Sequence, residues 1–191
     1  STIGFHVGGI VNVQVNEYVA IRPELLYSQA GYKYSFYRDF GFLAWEYNET
    51  AHWGNIILPV KVVGQYPLND YIKLQAFVGP YASIVLDGRY EGNGMNVLGY
   101  PFEASGKIVP GKKPDNYSGE TRYINPWDFG FNFGIGLQAY SFIFSVDYKL
   151  GLTDIQPHYS NSTAENNRGT DYTMKNKGVN FSIAYLFGCK K

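Results

Sequence analysis

From Trp127 to Ala139 every second residue is apolar: Trp127, Phe129, Phe131, Phe133, Ile135, Leu137 and Ala139 share one parity, and Asp128, Gly130, Asn132, Gly134, Gly136 and Gln138 share the other. A period of two belongs to a β-strand whose faces meet unlike surroundings. After a tight turn at Tyr140-Ser141 the alternation restarts, with Phe142, Phe144, Val146, Tyr148 and Leu150 set against Ser145, Asp147 and Lys149. The segment reads as a long hairpin. Alternation alone does not say which face is inside, but residue size helps. Phe129, Phe131, Phe133, Ile135 and Leu137 would overfill a small barrel, whereas Gly130, Gly134 and Gly136 suit a crowded interior. The aromatic parity is therefore expected to face outward, into lipid.

The same pattern predicts further strands along the chain. The first covers residues 2–13, with Ile3, Phe5, Val7, Val11 and Val13 outward. The second covers residues 18–29, with Val19, Ile21, Leu25 and Tyr27 outward and Arg22, Glu24 and Ser28 inward. A third covers residues 52–66, a fourth residues 71–87, and the last residues 178–187. Pro23 has no amide to donate, so it predicts a lost ladder bond or a bulge. Beyond Gly31 the apolar set shifts to Tyr32, Tyr34 and Phe36, which predicts a second bulge.

Short turns at residues 14–17, 67–70 and 140–141 alternate with long connections at 38–51, 88–123 and 153–177. The first long connection is expected to be a loop, partly a protruding hairpin, and the second a long loop or irregular hairpin. This asymmetry is that of a Gram-negative outer-membrane barrel, with tight turns on the periplasmic side and long loops outside. Tyr18, Tyr66, Tyr71, Tyr140 and Tyr185 fall near the short turns, and Tyr27, Trp53, Tyr123 and Trp127 near the long connections. Two such belts are what anchoring at both interfaces requires.

Composition narrows the classes. The 191 residues are one domain's length, carrying 18 Tyr, 13 Phe and 22 Gly at zero formal net charge, so nothing suggests a nucleic-acid partner. No apolar run approaches the ~20 residues of a membrane helix, so a chain that spans must do so as a barrel. No leader peptide is visible at Ser1, so the chain reads as mature or trimmed, and the single cysteine, Cys189, has no partner for an internal disulfide.

The polar parity raises the chemical question. Arg22, Glu24, Lys61, Lys73, Asp147 and Lys149 are all expected to point inward and pair across strands as a lumen charge network. A small barrel is usually filled by its own side chains, so a pore is not expected. No catalytic, cofactor or metal site is expected either. His6, His52 and His158 lack metal-ligand spacing, and the GxGxxA match at residues 134–139 lies inside a strand with no helix terminus to hold phosphate.

The stretch Pro23-Glu24-Leu25-Leu26-Tyr27-Ser28-Gln29 followed by Gly31, then Ile57-Leu58-Pro59-Val60-Lys61, Val78-Gly79-Pro80-Tyr81 and Tyr148 to Ile155, resembles the PorT-type outer-membrane β-barrel family of the Bacteroidota. The resemblance runs through nearly the whole chain in the right order. It implies a barrel of about eight strands in the outer membrane, one relative of which is linked to protein secretion. Its shared motifs are architectural and carry over no catalytic or ligand-binding residue.

The expected fold is an all-β, antiparallel up-and-down transmembrane β-barrel of about eight strands, forming one domain over residues 1–191. Seven strands are visible. Bacterial barrels have an even number, so one strand is expected upstream of Ser1, leaving a strand-wide gap between the first and last strands or a strand borrowed from a partner. The expected function is that of a non-enzymatic envelope protein, structural or binding a partner or ligand through long outer loops, as an accessory of a secretion or uptake complex. Its expected partners are outer-membrane lipid and another envelope protein. The alternative is an outer-membrane enzyme of lipid-modifying or protease type, with a rim site built around His6 or His52.

Overall fold

The computed structural model describes residues 4–39, 44–96, 98–112, 120–156 and 173–187. Among them are ten strands: β1 (His6–Ile10), β2 (Val13–Gln14), β3 (Val19–Asp39), β4 (Ala44–Pro67), β5 (Ile72–Met95), β6 (Pro101–Pro110), β7 (Thr121–Ile124), β8 (Trp127–Ala139), β9 (Phe142–Gly151) and β10 (Lys177–Tyr185). They form one sheet in the order β1-β3-β4-β5-β8-β9-β10, antiparallel throughout that path.

Pro23 acts on one neighbour only. The Val11 amide donates to the Pro23 carbonyl at 3.0 Å, but proline has no N–H to return the bond, and the first strand splits there into β1 and β2. Both halves keep a single register on β3, from His6↔Ser28 to Gln14↔Ala20. On the other side, β3 and β4 pair in unbroken register from Val19↔Gly64 to Asp39↔Ala44. Of its two expected outcomes Pro23 thus takes the lost ladder bond rather than a bulge, and the bulge expected beyond Gly31 does not form. Tyr32 keeps the inward parity of Arg22 and Glu24. What changes is the environment: beyond the apolar outer band the inner face packs its own core of Ala51, Trp53, Val85, Tyr90, Ile108, Ile124 and Ile155, with Tyr32 against it.

That core lies in a projection beyond the band. Strand β3 has 21 residues and β4 and β5 have 24 each, about twice the 9–11 that a tilted crossing needs. Residues 38–39 and 44–51, expected in a loop, thus belong to the paired strands of a β3–β4 hairpin, and residues 40–43 lie outside the described residues. A bulge does occur, between β4 and β5 at Trp53/Asn55. The pairs Asn55↔Val85 and Trp53↔Gly88 leave one extra residue on β5, which moves its buried parity from Val85 to Tyr90. The alternation that breaks off near Asp87 is this phase change. The strand itself continues to Met95 and returns as β6, and β7 then runs parallel to β6. The β5–β6 hairpin adds no further crossing strand, because β6 pairs with residues 88–95 of β5 and β8 occupies residues 72–84 of the same edge.

Phe129, Phe131, Phe133, Ile135, Phe144, Val146, Phe181 and Ile183 all face outward, with 40–78% of their surface exposed. Glycine permits close approach on the opposite face. A Cβ added at Gly130 would collide with the Leu150 carbonyl oxygen and come within 2.7 Å of the Tyr81 ring. The sheet ends at β1 and β10, which share no backbone pairing among the described residues; the contact across this seam is His6 Nε2 to Ser182 Oγ at 2.9 Å. At the base of the last long connection the Ile155 amide donates to the Met174 carbonyl at 2.9 Å, and residues 157–172 lie outside the described residues.

Candidate functional site

The barrel interior is built from the inward parity of β3, β4, β5, β8 and β9. Near the short-turn end, Ala20, Val63 and Phe77 form a small apolar cluster. Above it the Arg22 guanidinium donates to Asn12 Oδ1 at 3.1 Å and to Gln75 Oε1 at 2.9 Å, and Gln75 Nε2 donates to Gln138 at 3.0 Å. Lys61 is the junction. Its ammonium sits 2.9 Å from Glu24, 3.9 Å from Asp147 and 4.7 Å from the centre of the Phe77 ring. Asn180 Nδ2 supplies Asp147 with a further bond at 2.9 Å. Higher still, Lys149 lies 5.4 Å from the centre of the Tyr81 ring, and Asp128 accepts from Tyr81 Oη at 3.0 Å and Asn176 Nδ2 at 3.1 Å.

Buried in this interior are Arg22, Lys61 and Lys149 with Glu24, Asp128 and Asp147, so the charges balance. Balance matters because an unpaired ion away from water costs several kcal/mol, roughly. Of the six residues expected in the network, five are buried here. Arg22 bonds to amides rather than to a carboxylate. Lys73 is only half-buried, because it lies at the start of β5 by the short turn, where the ammonium reaches water. Asp128, Asn132 and Gln138 already stood on the polar parity of their strand, which was the signal available for them. A cavity of about 470 Å³ separates this network from the β1–β10 seam, touching Arg22, Glu24, Lys61, Asp147 and Lys149.

A second polar cluster sits in the projection. The buried Glu49 carboxylate accepts from Tyr32 Oη at 2.6 Å, Tyr47 Oη at 2.5 Å and Arg122 Nη2 at 2.5 Å, and Arg122 lies 4.4 Å from the centre of the Tyr90 ring. Burial, then the hydrogen bond to an anionic carboxylate, pushes the Tyr47 phenol up to about 12 and moves Tyr32 in the same direction. Burial works against the Arg122 charge, but Glu49 and the tyrosines outweigh it and raise its pKa. Glu49 was hidden in the sequence because it fell inside an expected loop. This cluster ties β3, β4 and β7 together into one β-platform.

His6 meets Ser182 at the seam, and no carboxylate hydrogen-bonds that histidine among the described residues. His52 lies on the outward face, opposite Arg89, and His158 falls outside the described residues. Among the described residues no three His, Cys, Asp or Glu side chains converge to hold a metal.

An apolar exterior around a charge-balanced interior is the inverse of a soluble barrel, and residues 1–156 match the family model described as outer membrane protein beta-barrel domain. The chain belongs to this outer-membrane β-barrel family. Its place is the outer membrane, the Phe129 to Ile183 band faces lipid, and the short turns are periplasmic. No curated protein and no solved structure matches the chain.

Proposed function

We propose that this outer-membrane barrel is a non-enzymatic envelope protein that holds a rigid β-platform outside the cell for a partner or external ligand. The observation that carries this reading is the platform's surface. Tyr37 and Trp45 flank the β3–β4 tip, and Leu98 and Tyr100 the β5–β6 tip, each 42–70% exposed. Large amphipathic rings on a preordered scaffold supply contact area at low entropic cost. The buried Glu49 cluster supports the same reading, since it stiffens strands that a membrane anchor alone would not need. Against catalysis stands the His6–Ser182 pair, to which no carboxylate hydrogen-bonds among the described residues, whereas a nucleophile and base require such an orienting group. The PorT-type motifs suggest that the partner belongs to a machine that secretes or takes up cargo.

The test is capture of the native protein in mild detergent, followed by mass spectrometry. An envelope protein or ligand should remain with the wild type and leave when Tyr37, Trp45 and Tyr100 are replaced together by Ser. Retention unaffected by that triple change would contradict the reading. Reproducible hydrolysis of a lipid or peptide, lost on His6→Ala or His52→Ala, would establish the enzymatic alternative instead.

A further inference from the structure

His52, Arg89 and Lys107 lie side by side in one row across three strands. The pairing His52↔Arg89 on β4 and β5 continues as Arg89↔Lys107 on β5 and β6. Arg89 and Lys107 are exposed on the outward face, and His52 is half-exposed beside them. Like charges directly opposite one another in a sheet repel, so such a row is costly unless something anionic compensates it. Among the described residues neither Arg89 nor Lys107 makes an ion pair or a side-chain hydrogen bond.

The row's height identifies the anion. On β4 the outward apolar series Val62, Val60, Leu58 and Ile56 ends at Gly54, and His52 is the next side chain outward. On β5 the series passes Ile84 and Leu86 and reaches Arg89 just beyond the bulge. Tyr27 and Trp127, both exposed, mark the aromatic girdle in the row of Ile56 and Ile84, and the His52–Arg89 row follows just outside it. The cations therefore stand where the hydrocarbon ends and headgroup phosphates begin. They share a groove of about 470 Å³ whose wall includes Tyr27, Asp87 and Val109, and the Tyr27 ring lies over Gly54, which has no side chain to displace it. Asp87 opposes an anion in this groove, and Glu91 sits in the next outward row.

We infer that this groove binds the phosphate of an outer-leaflet lipid headgroup, with Arg89 and Lys107 as its ligands and His52 at its side. This inference is independent of what docks on the platform tips. A lipid held here would tether the outside of the barrel at the foot of the projection, where β4 and β5 leave the membrane and β6 lies against β5. Arg89 offers a planar pair of N–H donors and Lys107 a point charge, a combination suited to a tetrahedral oxyanion.

The experiment uses the full chain, delipidated in a neutral maltoside detergent. Its probes are diphosphoryl lipid A and the same lipid stripped of both phosphates, with affinity read by native mass spectrometry. The phosphorylated lipid should bind at least about tenfold more tightly than the stripped one, and the Arg89→Gln/Lys107→Gln double variant should lose about that factor. Asp87→Asn should tighten binding severalfold. Heat-modifiable gel migration establishes that each variant is folded, and Asp87→Asn keeps the test open if the double variant is not. Equal binding of the two lipids, no loss in the folded double variant, or weakening by Asp87→Asn would overturn the inference. Displacement of the lipid by millimolar inorganic phosphate would also overturn it, assigning the groove to a free anion.

Discussion

The Lys61 ammonium lies 2.9 Å from Glu24 on the neighbouring strand and reaches toward Asp147 on β9, 3.9 Å away, joining opposite walls of the barrel. Both partners in the shorter bridge are only 7% exposed. Removing the cation alone should leave two carboxylates without their counter-charge. Lys61→Met is expected to destabilise the barrel by about 3–5 kcal/mol in urea unfolding from lipid vesicles. The Lys61→Met/Glu24→Gln double variant should cost clearly less than the two single changes summed. Additive costs would show that the bridge is not coupled as described.

The lipid-facing band gives a depth-dependent expectation. Phe133 sits mid-strand on β8, and Trp127 sits at the strand's outer end. Phe133→Arg should cost about 2–4 kcal/mol in the same unfolding assay, and Trp127→Arg about 1 or less attributable to charge. Equal costs at the two depths would contradict the placement of the membrane.

Around Glu49 the expectation concerns pH. The ordinary tyrosine value is 10.0, and Tyr47 is raised to about 12. A raised folded-state value means the protonated phenol is favoured by folding. Its contribution is complete below pH 10 and lost as pH climbs through about 12. The tyrosinate absorbance difference between wild type and Tyr47→Phe should therefore titrate near pH 12. A midpoint at the ordinary value would show that Tyr47 does not donate to Glu49.

Pro23 offers a backbone test. In Pro23→Ala the new amide should find the Val11 carbonyl and join β1 to β2, because the Val11 amide already bonds to residue 23 from the other side. Slow hydrogen exchange at that amide is expected. Fast exchange would mean that the break between β1 and β2 has another cause.

Period-two alternation made the crossing strands legible, because there the two faces meet lipid and a polar lumen. Lys61, Asp147 and their inward neighbours could be placed by parity alone. Above the membrane the rule inverts: water lies outside, and Tyr32, Trp53 and Tyr90 pack inside, so a continuous strand looks like a parity slip. The bulge near Asp87 disguised the rest, since one extra residue reverses every side chain after it. The Glu49–Arg122 contact joins residues from two connections expected to be loops, and no local pattern marks it. Charge along the sequence likewise hides the Arg89–Lys107 row, which exists only once β5 and β6 are in register.

The orientation of the barrel wall is tested most directly by spin labels on three positions in lipid vesicles, each as a single cysteine with Cys189→Ser. The positions are Asn132→Cys, buried in the interior, Phe133→Cys, 46% exposed in the band, and Tyr100→Cys, 66% exposed on the platform. The label at 133 should collide with oxygen and be shielded from a water-soluble nickel complex, the label at 100 should show the reverse, and the label at 132 should be shielded from both. A label at 132 that meets oxygen in the bilayer while the label at 133 is shielded would contradict the account.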